Sequence, residues 1–259
     1  LLLFFISYMI GYKNIGETTH EYVLRYRREN NISTNIKVGI CGKLDPQAKG
    51  KMKILVGSDT KLMKQYMNSS KIYEFDIMIG ISTRSDDVMG KVNDSRLNIT
   101  DKDIKLIKNY MTKELIKITQ QKFHHISAYK IRKRPGPKRP LWYWFKEGIL
   151  VDEDIPYKNV NVFNITYLDS NRINYIDYLN EVSVKLNSMT NKETWDISNI
   201  MTTWNNISLG HKLIKLSYRI HVSSGFYIRM IAKNINSLFN IPVHISNINR
   251  IDIIDNIIK

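Results

Sequence analysis

Leu44-Asp45-Pro46 lies within a run of small residues, with Gly42 before it and Ala48, Gly50 and Gly57 after it. An aspartate on a glycine-flanked turn offers a carboxylate that can attack an electrophilic carbon or take a proton. The same dipeptide is also an ordinary turn former, since aspartate bonds to nearby backbone and proline fixes φ. Three further groupings add chemistry: Lys71 with Tyr73; Ser127, Ala128 and Lys130; and Ser223, Gly225, Tyr227, Ile228 and Arg229. Alone, Tyr73 reads as a strand aromatic and Arg229 as a solvated charge at a helix start. The one cysteine, Cys41, provides no spacing for a zinc or iron–sulfur site.

Basic residues cluster at Arg25, Arg27 and Arg28 and again at Arg132, Lys133, Arg134, Lys138 and Arg139. Lys and Arg outnumber Asp and Glu by 39 to 24, a formal charge of +15 that fits a polyanionic partner, nucleic acid first. An Asn-, Ile- and Lys-heavy composition supplies positive charge by itself, so charge alone does not assign a partner. The second cluster also has the look of a nuclear-localisation signal. A lone cysteine fits a reducing, intracellular compartment. The apolar run from Leu1 to Ile10 is too short to cross a bilayer and reads as a buried strand. With 259 residues and 43% hydrophobic content, one main domain is expected.

Periodicity predicts the elements that carry these groups. Thr18 and Glu21 have capping-box spacing for a helix from about Thr19 to Glu29. From Gly39 to Gly57, turn and strand signals alternate, and Lys71 to Ile81 reads as β. Thr100 caps a helix over Asp101 to Met111, with Ile104, Ile107 and Met111 on one face. Pro135, Pro137 and Pro140 make the stretch from Lys130 to Arg139 a loop. Val160 to Leu168 reads as a strand and Asp169 to Leu186 as a helix. Ile214, Leu216, Tyr218, Ile220 and Val222 alternate with polar residues, as in a strand with one buried face. After Ser223-Ser224-Gly225 a helix from about Tyr227 carries the stripe Ile228, Ile231, Ile235 and Leu238. Strands and helices interleave without a strict βαβ repeat, which predicts a mixed sheet with flanking helices.

Taken in order, the groupings resemble the TruB family of tRNA pseudouridine synthases. Gly42 to Gly50 resembles its G-x-L-D-P-x-A-x-G, and Gly57, Thr60 and Lys61 its G-x-x-T-K. Lys71, Tyr73, Gly80, Thr83, Asp87 and Gly90 resemble K-x-Y followed by G-x-x-T-x-x-x-D-x-x-G. Ser127-Ala128-x-Lys130 and Ser223 to Arg229 resemble S-A-x-K and S-x-G-x-Y-I-R, and Val243, His244 and Arg250 resemble the final core block. The chain departs from the pattern at Ile40, where the family usually has His, and at Lys13-Asn14-Ile15-Gly16 in place of K-P-x-G. Arg84 replaces an Asp, and Phe123 and His124 replace two prolines.

The resemblance implies an α+β pseudouridine-synthase fold, a mixed, mostly antiparallel sheet with flanking helices and loops around a central cleft. It implies one catalytic domain over 1–259, with no C-terminal RNA-binding (PUA) domain evident. The reaction implied breaks the C1′–N1 bond of uridine, turns the base and joins C1′ to C5, with no cofactor and no metal. Asp45 would serve as nucleophile at C1′ or as base for a sugar proton, Tyr73 would stack on the everted base, and Arg229 would pair with Asp45. Lys61, Lys130 and Tyr227 would contact substrate, with Arg25, Arg28, Arg132 and Arg134 gripping phosphates. The expected partner is the T-arm stem-loop of tRNA, with uridine 55 as target, bound by a monomer without a membrane. The competing readings are a guide-RNA-dependent, dyskerin-type synthase and a non-catalytic RNA-binding protein or tRNA-folding chaperone.

Overall fold

The structure is a computed structural model that describes residues 8–96, 98–190, 192–193, 195–207, 210 and 212–255. Its strands are β1 (Met9–Lys13), β2 (Val38–Cys41), β3 (Lys49–Val56), β4 (Ser70–Ile79), β5 (Ile81–Thr83), β6 (Val92–Ser95), β7 (Gln120–Lys122), β8 (Lys130–Ile131), β9 (Arg139–Pro140), β10 (Tyr157–Asn159), β11 (Val162–Asn174), β12 (Lys212–Val222) and β13 (Val243–Ile254). Its α-helices are α1 (Thr19–Glu29), α2 (Met63–Met67), α3 (Asp101–Asn109), α4 (Leu141–Lys146), α5 (Tyr175–Asn187), α6 (Ile197–Asn205) and α7 (Arg229–Phe239).

Among the described residues, seven strands form the main sheet in the order β1-β3-β13-β4-β12-β11, with β2 also on β3. Every pairing is antiparallel except β13 with β3, so the sheet is mixed as the residue pattern predicts. That parallel contact explains a motif glycine. Gly50 pairs with Arg250 at φ +129, and a Cβ there would lie 2.4 Å from the Arg250 carbonyl oxygen. Only glycine allows the two backbones to approach so closely.

On one sheet face, Tyr73, Phe75, Ile77 and Ile79 of β4 and Leu216, Tyr218 and Ile220 of β12 meet Tyr22 of α1, Ile107 of α3 and Ile231 and Ile235 of α7. The other face buries Met78 and Leu213 beneath Tyr178 and Val182 of α5 and Trp204 of α6. Burying each such side chain contributes roughly 1.5–3 kcal/mol, so the two-sided core holds rigid the strands and helix that carry the site.

Thr18 caps α1 and Thr100 caps α3, each through a reciprocal bond with the third helical residue. Three readings need correction. Asp169 to Asn174 does not begin a helix: these residues continue β11, paired through Asn174 with Lys212, and α5 starts at Tyr175. Cross-strand pairing with β12 overrides their polar, turn-like composition. Leu238 is 63% exposed, so the stripe of α7 is Ile228, Ile231 and Ile235, continued by the partly buried Phe239. The buried strand read from Leu1 to Ile10 lies partly outside the described residues. Its described end belongs to β1, an edge strand whose Met9 and Ile10 are exposed. Among the described residues no helix is long and apolar enough to cross a membrane.

Candidate active site around Asp45

The loop from β2 to β3 is fixed through its backbone while its aspartate stays open. Lys13, fully buried on β1, donates from Nζ to the carbonyls of Ala48 at 2.7 Å, Asn14 at 3.0 Å and Pro46 at 3.3 Å. The Gly16 amide donates to the same Pro46 oxygen at 3.0 Å. Thr19 Oγ1 donates to the Leu44 carbonyl at 3.3 Å, and Arg250 Nη2 to the Gly42 carbonyl at 3.2 Å. An Ala48 amide bond to the Asp45 carbonyl at 3.0 Å closes the turn, and Leu44 plugs the core. Burial lowers the Lys13 amine to about 8, against the pull of Glu17 and Asp45. The Asp45 side chain remains 41% exposed.

Arg229, the first residue of α7, comes up beneath that carboxylate. Its side chain is 4% exposed, and Nη2 stands 2.9 Å from Asp45 Oδ2. Nη2 also donates to the Ile126 carbonyl at 2.9 Å and Nη1 to the Ser85 carbonyl at 3.3 Å, while Nε lies 3.5 Å from Asp87 Oδ2. Burial disfavours the guanidinium charge, but Asp45, Asp87 and Asp86 outweigh it and raise Arg229 above its ordinary value. Asp87 is held by Ser85 Oγ at 2.6 Å and the Met89 amide at 2.9 Å, with Gln47 Nε2 at 3.4 Å. Burial raises its carboxyl, and Arg229 opposes that rise. The turn around Asp87 explains a second motif glycine, because a Cβ at Gly90 would meet the Ser85 amide nitrogen at 2.6 Å.

Tyr73 lies on β4 opposite Ile220 and Arg250, 8% exposed and in the same apolar cluster as Leu44 and Ile228. Tyr227, beside Arg229 in sequence, is clamped by Gln121, whose side chain accepts from its amide at 2.8 Å and donates to its carbonyl at 3.2 Å. Burial, then the charge of Asp45, raises its phenol. Phe123 stacks on Tyr129 at 3.9 Å and meets the Tyr227 ring edge-on at 5.8 Å.

The expected substrate and phosphate contacts separate into groups. Arg25 is tied to Glu17 at 2.5 Å, to Glu29 at 3.0 Å and to the Tyr12 carbonyl at 2.8 Å. Arg28, Lys61, Lys130, Arg132 and Arg134 are exposed. Two surface hollows lie off the carboxylate, one lined by Arg27, Val38 and Met63 and the other by His125, Phe145, Asp152 and Lys233.

Reading the residues alone missed the clamp by Lys13, the support from Gln47 and Asp87, and a buried group behind Arg229. In that group the ligand-capable atoms of Asp86, His124 and His125 lie within 4.8 Å of one another. Hydrogen bonding there works against a metal. His124 Nδ1 accepts the Ile126 amide at 3.1 Å, which leaves its proton on Nε2, the atom facing Asp86 Oδ2 at 3.1 Å. The Arg229 and Lys233 charges lie close by as well.

The site is thus a loop-borne carboxylate, between β2 and β3 of a mixed sheet, backed by a buried guanidinium, and the class of the chain comes from its sequence. Residues 29–188 match the N-terminal domain of the TruB family of pseudouridylate synthases, and the chain belongs to that family. It is 29% identical over 242 residues to tRNA pseudouridine synthase B of Acholeplasma laidlawii, covering 93% of this chain and 67% of the relative. To the protein of the same name from Listeria welshimeri it is 28% identical over 239 residues, covering 92% and 63%. The chain thus spans about two thirds of the length of these relatives. A chain of the solved Cbf5-Nop10-Gar1 complex aligns with 16% identity and a TM-score of 0.48, covering 95% of this chain and 48% of that one.

Proposed function

We propose that this chain isomerises uridine to pseudouridine in RNA, with uridine 55 in the T-loop of tRNA as its target. The observation that carries the reading is the pairing of a partly exposed carboxylate, Asp45, with a buried guanidinium, Arg229, on a backbone held by Lys13 and Arg250. Such a carboxylate is held in one place by a fixed positive charge and stays open to a sugar brought from outside.

The everted uridine presents C1′ to Asp45, which acts as nucleophile at that carbon or as base for a sugar proton. Loss of the C1′–N1 bond leaves the pyrimidine free to turn. Tyr73 offers it a face, a contact worth about 1–3 kcal/mol for base–aromatic stacking. C5 then bonds to C1′ as the Asp45–C1′ bond breaks, or as Asp45 returns the sugar proton; C5 loses its proton and N1 gains one, so Asp45 is regenerated and the product is an isomer of the substrate. Lys61, Lys130 and Tyr227, with Arg28, Arg132 and Arg134, are the proposed contacts to substrate and phosphates, and Arg25 supports them through its ion pairs. The chain acts as one catalytic domain and as a monomer, inside the cell in a reducing compartment.

The test is pseudouridine formation in a T-arm stem-loop by the wild-type chain and by Asp45→Ala. The expected result is loss of product in the variant with RNA binding retained within about threefold, since its carboxylate makes no phosphate contact. Product formation by Asp45→Ala would overturn the reading. RNA binding without turnover by the wild type would favour the non-catalytic alternative.

A further inference from the structure

His124 has no part in the scheme above, and it stands where the resemblance expects proline. It is fully buried, between the turn that follows β5 and the segment leading to β8. Its Nδ1 accepts the Ile126 amide at 3.1 Å, so the neutral ring carries its proton on Nε2 and donates it to Asp86 Oδ2 at 3.1 Å. The Ile126 carbonyl receives Arg229 Nη2 at 2.9 Å, and that same nitrogen holds Asp45 Oδ2 at 2.9 Å. Hydrogen bonds therefore link Asp86 through His124 and Ile126 to Arg229, and an ion pair carries the connection on to Asp45. Its far end is anchored, because the Asp86 carbonyl accepts the Ile245 amide of β13 at 2.9 Å.

We propose that His124 is a positioning residue for Asp45, acting through Ile126 and Arg229. By accepting the Ile126 amide at Nδ1 and hydrogen-bonding from Nε2–H to Asp86, it fixes the carbonyl that competes with Asp45 for Arg229 Nη2. The guanidinium then faces the carboxylate in one orientation. A proline at this position has no side-chain acceptor for the Ile126 amide. Burial first, and the Arg229 charge second, hold His124 well below the usual imidazole range, so the neutral tautomer persists at neutral pH. His125 stacks on the ring at 4.3 Å and bonds through Nε2 to the Arg84 carbonyl at 2.9 Å, which limits its rotation.

This inference rests on Asp45 being the catalytic carboxylate. Two conservative variants divide the roles of the two ring nitrogens. His124→Asn retains an acceptor at the place of Nδ1 but cannot reach Asp86; His124→Gln retains a donor toward Asp86 but offers Ile126 no acceptor. In single-turnover assays on the T-arm stem-loop, His124→Gln is expected to lower the rate constant about tenfold, the effect of losing one buried hydrogen bond. KM should move less than about threefold, and His124→Asn should recover most of the rate. Equal losses in the two variants would make His124 a packing residue and overturn the proposal, as would wild-type rates in His124→Gln. If Asp45→Ala abolishes turnover while His124→Gln does not, the positioning role fails and the catalytic reading stands. A measurement on the unaltered protein guards against misfolded variants. Long-range ¹H–¹⁵N spectra should show His124 with a bare Nδ1 and a protonated Nε2 at neutral pH, and the opposite tautomer would overturn the proposal.

Discussion

Arg229 Nη2 stands 2.9 Å from Asp45 Oδ2, with the arginine side chain 4% and the aspartate 41% exposed. The buried partner is thus the fixed one, and the carboxylate is held from behind with its front open. A lysine at 229 would keep the charge but not the fork that reaches Asp45, Ile126 and Ser85 together. Charge-assisted bonds are worth about 1.5–3 kcal/mol each, so Arg229→Lys should lower kcat about 10- to 100-fold. KM for a T-arm stem-loop should change less than about threefold. A variant with normal kcat and raised KM would place Arg229 in substrate binding instead.

Lys13 presents a different balance. Its amine satisfies three backbone carbonyls of and beside the Asp45 loop, and burial lowers it to about 8 from 10.5. Between those two values the unfolded chain holds a proton that the folded chain has released, so this group makes stability rise with pH across that window. Lys13→Met should flatten the rise, seen as a smaller gain in urea-unfolding free energy between about pH 8 and pH 10 than wild type shows. Turnover should fall at least about tenfold because the loop loses bonds to Pro46 and Ala48. Unchanged turnover would mean that Gly16, Thr19 and Arg250 hold the loop without it.

Parts of this arrangement are legible in the sequence and parts are not. The helix over Thr19 to Glu29 follows from a capping pair three residues apart, and the strand around Ile220 from strict alternation, both local signals. The length of β11 does not follow, because Asp169 to Asn174 owe their extended form to β12, some forty residues further on. Asp45 and Arg229 stand out through their motifs. Lys13 is visible only as the lysine of a K-P-x-G block, and nothing local to a lysine on an edge strand announces three carbonyls waiting above it. His124 is likewise silent: its meaning comes from Asp86 and Ile126 converging on it in space.

His244 should set part of the acid limit of stability. Tyr178 Oη donates to its Nε2 at 2.5 Å, and its Nδ1 donates to the Ile81 carbonyl at 2.8 Å, so the neutral ring is fully used. Burial lowers its pKa to about 4 from 6.5. As pH falls below about 6.5 the unfolded chain takes up a proton that the folded ring refuses, and stability is lost down to about pH 4. From pH 7 to pH 5 this loss is roughly 2 kcal/mol for one such group. His244→Phe should be less stable at pH 7 because Tyr178 loses its acceptor, yet should lose less on acidification. Parallel pH profiles for the two proteins would assign the acid sensitivity to other groups.

The basic loop between β8 and β9 makes the most direct prediction about RNA. Arg132 and Arg134 are exposed, whereas Lys133 is paired with Asp154. Each phosphate contact releases condensed counterions, so removing one lowers the slope of log affinity against log salt by about 0.7–0.9. Arg132→Ala with Arg134→Ala should therefore weaken binding to a T-arm stem-loop and reduce that slope by about 1.5, two contacts' worth. Lys133→Ala should change it by less than about 0.5, because its charge is already answered by Asp154. The comparison is a salt titration of the three proteins with one RNA. A double variant that keeps the wild-type slope would place the phosphate grip elsewhere, with Arg28 and Lys61 next in line.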